Sequence, residues 1–218
     1  MELAVVLSVL LFSVVLHEVA HAWVALREGD PTAADQGRIT LNPLAHLDPV
    51  GSLLLPVALY WASGGAAIFG WAKPVPVDPR NYREPVAGDI RVSLAGIVVN
   101  LGLAVIFMLV AALAAALQGA PGVLTDLLGW VFFAARFGVF INLILAVFNL
   151  IPIPPLDGSH VLRHLLPAAL RPAYERIAQY GMLVLMALIF IFDGAFRVLL
   201  LPAFALMDLA DAFLRLWM

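Results

Sequence analysis

His17, Glu18 and His21 stand within Leu16–Ala22, which reads Leu-His-Glu-Val-Ala-His-Ala and ends an apolar run that begins at Leu3. On a helix of 3.6 residues per turn the two histidines fall one above the other on one face, with Glu18 beside them. Two neutral imidazoles one turn apart can hold Zn2+, and the neighbouring carboxylate can take a proton from water that the ion has acidified to a pKa of about 7. The stretch therefore supplies both a nucleophile source and a base. Three ionisable groups at an apolar helix end are costly as mere solvation, and in membrane segments such residues are rare and mostly functional.

A membrane bundle must position these groups. Of the 218 residues, 63% are hydrophobic and 12% charged, with a mean hydropathy of +1.00. A soluble domain of this length cannot bury that much apolar surface. The expected fold is an all-α polytopic membrane protein: a bundle of about five transmembrane helices with a re-entrant segment and a small β-hairpin or sheet at the membrane surface. A single domain over 1–218 is expected, with its core at 3–163 and C-terminal helices at 164–218. The lipid bilayer is its solvent. The net charge of −3 contains no basic run, so nucleic acid is not an expected partner. Cysteine is absent, and any zinc has to be held by His and carboxylate.

Leu3–Leu26 reads as the first span; with Glu2 in place of a basic leader region and no small-residue cleavage site, it is expected to be retained. Gly37–Leu41 and Lys73–Val77 alternate enough for short strands, the second confined to an edge by Pro74 and Pro76. Gly51–Trp71 is apolar enough to span but is broken by Pro56 and by Gly64 and Gly65. Val92–Leu117, Trp130–Leu150 and Ile177–Phe192 read as further spans. Ala195–Met218, with charges among its apolar residues, suits a helix lying at the interface.

Basic residues gather in 27–50, 72–91 and 159–176, which the positive-inside bias places in the cytoplasm. Gly51–Trp71 must then enter and leave on one side. Metal geometry asks for the same arrangement. A catalytic zinc takes a third protein ligand, and Asp157 stands out because it follows a span directly, in a proline-bent segment. A spanning 51–71 would put His21 and Asp157 on opposite faces, whereas a re-entrant one brings them to the same face. Broken backbone at that depth suits a hydrated cavity. The active site is thus expected toward the cytoplasmic side of a multi-pass protein of the cell (inner or plasma) membrane. Arg136, inside an apolar segment, is expected to snorkel.

Leu16–Ala22, Asn-Pro-Leu-Ala-His-Leu-Asp-Pro-Val-Gly at 42–51, Gly-Trp-Ala-Lys-Pro-Val-Pro-Val at 70–77, Ala-Gly-Ile-Val-Val-Asn at 95–100 and Asn-Leu-Ile-Pro-Ile-Pro-Pro-Leu-Asp-Gly at 149–158 occur in this order. Together they resemble the site-2 protease family of intramembrane zinc metalloproteases, in its compact bacterial form without PDZ or CBS modules. The resemblance covers Leu3 to about Arg163. It implies that His17, His21 and Asp157 bind one catalytic Zn2+, that Glu18 is the general base and acid, and that Asn149 holds the substrate strand or the oxyanion. It also implies hydrolysis of peptide bonds in or near transmembrane segments of membrane protein substrates, as in regulated intramembrane proteolysis. One departure is Ile97, where the family often has proline; this bears on a helix kink, not on the chemistry.

Asn142 and Asn149 share a face if their helix persists; Asn149 is expected at the site and Asn142 in helix–helix bonding. Asn100 fits packing and the cleft equally well. His46 is expected to order its loop or meet substrate, and His160 to be solvated, with a place near the metal as its alternative. His164 has no evident role. Asp48, Asp78 and Asp89 read as caps and turn formers. The rival from another class is a non-proteolytic membrane metal-binding or transport protein. Simple binding has no need of Glu18, and no further His or acidic residues are staged along a path. The oligomeric state is not fixed by the sequence.

Overall fold

Apolar runs of this length must satisfy their backbone groups internally when surrounded by lipid, and a helix does so residue by residue. The computed structural model describes residues 2–54, 57–58, 61, 72–117 and 123–218. Its helices are α1 (Glu2–Glu28), α2 (Thr32–Asp35), α3 (Pro85–Ala116), α4 (Val123–Leu150), α5 (Asp157–Leu165), α6 (Arg171–Ala178), α7 (Gly181–Phe190) and α8 (Asp193–Leu214). Short helical turns lie at Pro43–His46, Pro49–Leu54 and Pro79–Asn81. Among the described residues α1, α3 and α4 are long and apolar enough to cross a membrane; α6 and α7, bent by 64°, would make a fourth crossing if they form one broken span. The chain is an integral membrane protein.

Helices α3 and α4 run out and back, packed along their length, with α1 against α3. The end of α1 lies beside the start of α3: Arg83 N–H donates to Glu28 O at 2.8 Å, and Arg91 grips the Glu28 carboxylate through Nε and Nη2, both at 2.7 Å. Because α4 returns the chain to that same end, α5 begins there with Asp157. The expected re-entrant segment Gly51–Trp71 falls largely outside the described residues.

The expected surface strands are not formed: no strand is seen among the described residues. The reason is chemical. Pro74 and Pro76 have no N–H to give a ladder, and the Val75 N–H between them donates to Glu18 Oε2 at 2.8 Å. Arg38, buried, donates from Nη2 to Lys73 O at 2.8 Å and Pro74 O at 3.3 Å. The Glu18 and Arg38 side chains and one backbone bond, Lys73 N–H to His46 O at 2.9 Å, hold 73–77 in place of a sheet.

The same layer is tied together by Asp30, which is fully buried. Its Oδ1 accepts from Thr32 N–H, Thr32 Oγ1 and Asn81 Nδ2, and its Oδ2 from Asp78 N–H. Burial by itself would raise the pKa of this carboxyl, but the hydrogen bonds from Thr32, Asn81 and the Asp78 backbone outweigh it and hold the pKa below its ordinary 3.8. A folded carboxyl that is the stronger acid stabilises the fold fully above that ordinary value and loses the contribution as pH falls through its folded pKa. Thermal unfolding in detergent should therefore show a midpoint that drops on acidification below about pH 4. In Asp30→Asn the drop over that range is expected to be smaller, from a midpoint already lowered; an unchanged acid limb would contradict this.

Two C-terminal elements depart from expectation. Ile177–Phe192 is not one regular helix: α6 ends at Ala178 and α7 runs from Gly181 across a 64° bend, with Leu185 and Ile189 of α7 packed against Ile151, Ile153 and Leu156 beside the end of α4. Nor is α8 isolated at a surface. Phe196 meets Phe148 at one end of the bundle, while Ala203, Met207 and Ala210 pack on Ala104, Val139 and Leu143, and Leu214 on Ala111 and Ala135 toward the other. Thus α8 runs antiparallel to α4. Arg136, expected to snorkel, has a partner on α8: its Nε and Nη2 donate to Asp211 Oδ1 and Oδ2 at 2.9 and 2.7 Å. This bidentate pair offsets two of the charges that α4 and α8 carry among their apolar residues.

Candidate metal centre

The i, i+4 spacing on α1 stacks His17 and His21, whose rings meet edge to face with centroids 4.6 Å apart. Their Nε2 atoms lie 3.0 Å from each other. Asp157, the first residue of α5, brings Oδ2 to 3.3 Å from His17 Nε2 and 3.4 Å from His21 Nε2. Three ligands of a tetrahedral zinc, with bonds of about 2.0–2.2 Å, stand about 3.3 Å apart. The observed triangle has that size. Asp157 Oδ2 is also a buried atom with no hydrogen-bond partner, and it lies within 3.4 Å of both ring nitrogens. Among the described residues this is the one group of His, Cys, Asp and Glu side chains that could hold a metal ion.

Neighbouring helices shape the triangle. His21 Nδ1 donates to Val92 O at 2.7 Å, which leaves Nε2 unprotonated and available as a ligand. Gly96 lies under both rings: a Cβ there would sit 2.5 Å from His17 Nδ1 and 2.6 Å from His21 Nε2. No side chain fits, so α3 can approach α1 this closely only through glycine. Gly96→Ala is expected to push one or both imidazoles aside and weaken zinc binding by at least about 10-fold, measured by chelator competition. Gly158 does the equivalent at α5, where a Cβ would collide with Leu150 O at the end of α4.

Asp89 of α3 anchors the other end of α5. Its buried carboxylate accepts from His164 Nε2 at 2.7 Å, with His160 Nδ1 at 3.5 Å. His160 is half exposed and belongs to this group, not to the triangle. Hydrogen bonding to Asp89 raises the His160 pKa above its ordinary 6.5 against the lowering effect of burial. Asp89, expected as a cap or turn former, lies within α3, and neither it nor His164 signalled this pairing, since they are far apart in sequence and meet only because α5 folds back onto α3.

Glu18 follows His17 directly, with its carboxylate anchored by Val75 N–H. Asn149 is half-buried on the last turn of α4, and its Nδ2 donates to Leu145 O of the same helix at 2.9 Å. Asn142 is fully buried and bonds across helices, from Nδ2 to Ser13 Oγ at 2.8 Å. His46, buried, orders its loop through Nε2 to Thr40 O at 2.9 Å, while its own carbonyl accepts Lys73 N–H. Asn100 is fully buried beside His17.

A family model described as Peptidase family M50 matches residues 5–192. The Bacillus subtilis (strain 168) protein called "Putative zinc metalloprotease YwhC" is 41% identical over 183 residues, covering 82% of this chain and 77% of that one. "Putative zinc metalloprotease Rip2" of Mycobacterium tuberculosis is 36% identical over 182 residues, 81% of this chain. The match covers 64% of Rip2, so this chain spans slightly less than two thirds of that relative. No solved structure matches the chain.

Proposed function

The chain belongs to peptidase family M50, the site-2 protease family of intramembrane zinc metalloproteases, and on that premise we propose which of its residues do the chemistry and on what. His17, His21 and Asp157 hold one catalytic Zn2+, and Glu18 is the general base in hydrolysis of a peptide bond in or near a transmembrane segment of another membrane protein. The observation that supports this most is the convergence of two ring nitrogens and one carboxylate oxygen within 3.0–3.4 Å. When bound, zinc supplies a Lewis acid for the scissile carbonyl and brings the pKa of water to about 7.

The chain's own residues do the rest. Glu18 accepts the proton of the attacking water and later returns it to the leaving amine. Val75 N–H fixes one oxygen of that carboxylate at 2.8 Å, which limits its rotation and leaves the other oxygen for proton transfer. Asn149, at the end of α4 where the chain turns toward Asp157, is assigned to the extended substrate or its oxyanion. A substrate helix hides its carbonyls in intrahelical bonds, so it must unwind before attack.

On this reading α1, α3 and α4 cross the membrane, α6 and α7 form the bent pair beside the end of α4, and α8 packs antiparallel along α4. Residues 1–218 form one domain on this reading. Arg27, Lys73, Arg83 and Arg91 lie at the end where α1 finishes and α3 begins, and this charge bias supports an orientation with the site toward the cytoplasmic side. The test pairs metal analysis of the detergent-purified protein with cleavage of a model transmembrane substrate in vesicles. About one zinc per chain is expected, with cleavage stopped by a chelator and restored by zinc. Cleavage that survives complete removal of metal would overturn the assignment.

A further inference from the structure

Asn100 of α3 has no exposed surface, and its carboxamide faces the back of the His17 ring. Its Nδ2 lies 3.2 Å from His17 Nδ1, while its Oδ1 is buried with no hydrogen-bond partner. The front of the same ring, Nε2, points at His21 Nε2 and Asp157 Oδ2. A neutral imidazole that gives its Nε2 lone pair to a metal carries its proton on Nδ1. Nδ1 is then a donor, and an amide nitrogen facing it sets donor against donor. Turning the carboxamide half a revolution brings Oδ1 to that place. This gives the His17 N–H an acceptor and the orphaned oxygen a donor together, and the two ends of an amide are near enough in size that nothing else has to move.

We infer that Asn100 is the positioning residue for His17. With metal bound, Asn100 Oδ1 accepts the His17 Nδ1 proton, which fixes the ring's tautomer and orientation with Nε2 free for zinc. His21 gives the comparison inside the same site, since its Nδ1 meets the backbone carbonyl of Val92, an acceptor that cannot turn. Packing does not account for Asn100: an apolar residue of equal size would fill the space between α1 and α3 without burying an unpartnered oxygen. The inference rests on the reading of His17, His21 and Asp157 as ligands.

The experiment measures zinc affinity by chelator competition on the detergent-purified full chain, as wild type, Asn100→Leu and Asn100→Asp, with circular dichroism to establish folding. Asn100→Leu keeps the volume and removes the acceptor, and is expected to lose 10–100-fold in affinity, as disrupted outer partners of metal-bound histidines do. Asn100→Asp keeps an acceptor at the same place and should stay within about 3-fold of wild type. Equal affinities in wild type and Asn100→Leu would overturn the inference, as would an aspartate variant no better than the leucine one. A residue needed only for packing ranks the two in the reverse order. Nitrogen-15 shifts of His17 in zinc-loaded wild type decide the matter even if a variant fails to fold. A protonated Nδ1 with metal on Nε2 is expected, and metal on Nδ1 would refute it. Because affinity is read directly, zinc binding without proteolysis would sink the protease assignment and leave this inference standing.

Discussion

Glu18→Gln is expected to keep the wild-type zinc content and to lose cleavage of a transmembrane substrate, with kcat reduced by at least about 10²–10⁴-fold. Glutamine has the shape of glutamate, and its carbonyl oxygen can still accept the Val75 N–H that now binds Glu18 Oε2 at 2.8 Å. The layer formed by residues 73–77 should therefore stay in place. His17, His21 and Asp157 are untouched, so the metal should remain. What disappears is the capacity to take a proton from water, because a carboxamide is not a base at any pH the protein survives. Side-by-side metal analysis and single-turnover cleavage would check the claim. Turnover that persists in a zinc-replete Glu18→Gln protein would remove Glu18 from the mechanism.

Asp157→Ala should lose both stoichiometric zinc and activity. Asp157 supplies the carboxylate corner of the triangle, 3.3 and 3.4 Å from the two ring nitrogens, and with cysteine absent from the chain no thiolate can replace it. Two imidazoles alone make a far weaker zinc site than three ligands do. The substitution is not expected to unfold the protein, because α5 is held at its other end by His164 on Asp89 at 2.7 Å and near its start by the close approach of Gly158 to Leu150 O. Chelator competition and circular dichroism together separate loss of metal from loss of fold. A folded, fully metallated and active Asp157→Ala protein would eliminate the third-ligand assignment.

What the sequence determined by itself was whatever one helix or one short segment can encode. The spacing of His17 and His21 puts two ligands on one face whatever surrounds them, since a helix repeats every 3.6 residues. Glu18 comes with them by adjacency. The long apolar runs dictated membrane helices, because lipid leaves backbone groups no other partner, and the prolines of 152–155 ended α4 just ahead of Asp157.

The tertiary structure decided everything that depends on how those helices are rotated and how deeply they interlock. Asn100 beside His17, Asp89 beside His164 and Arg136 beside Asp211 each join residues tens of positions apart on different helices. Local periodicity says nothing about which side of α3 faces α1. Gly96 settles that face by letting two histidine rings occupy the space a side chain would need. The strands expected at 37–41 and 73–77 gave way for the same reason. Alternation marks a segment able to pair, but the only N–H between Pro74 and Pro76 had already been taken by Glu18 from across the fold. A backbone donor can be spent once, and which acceptor reaches it first is a matter of three-dimensional packing.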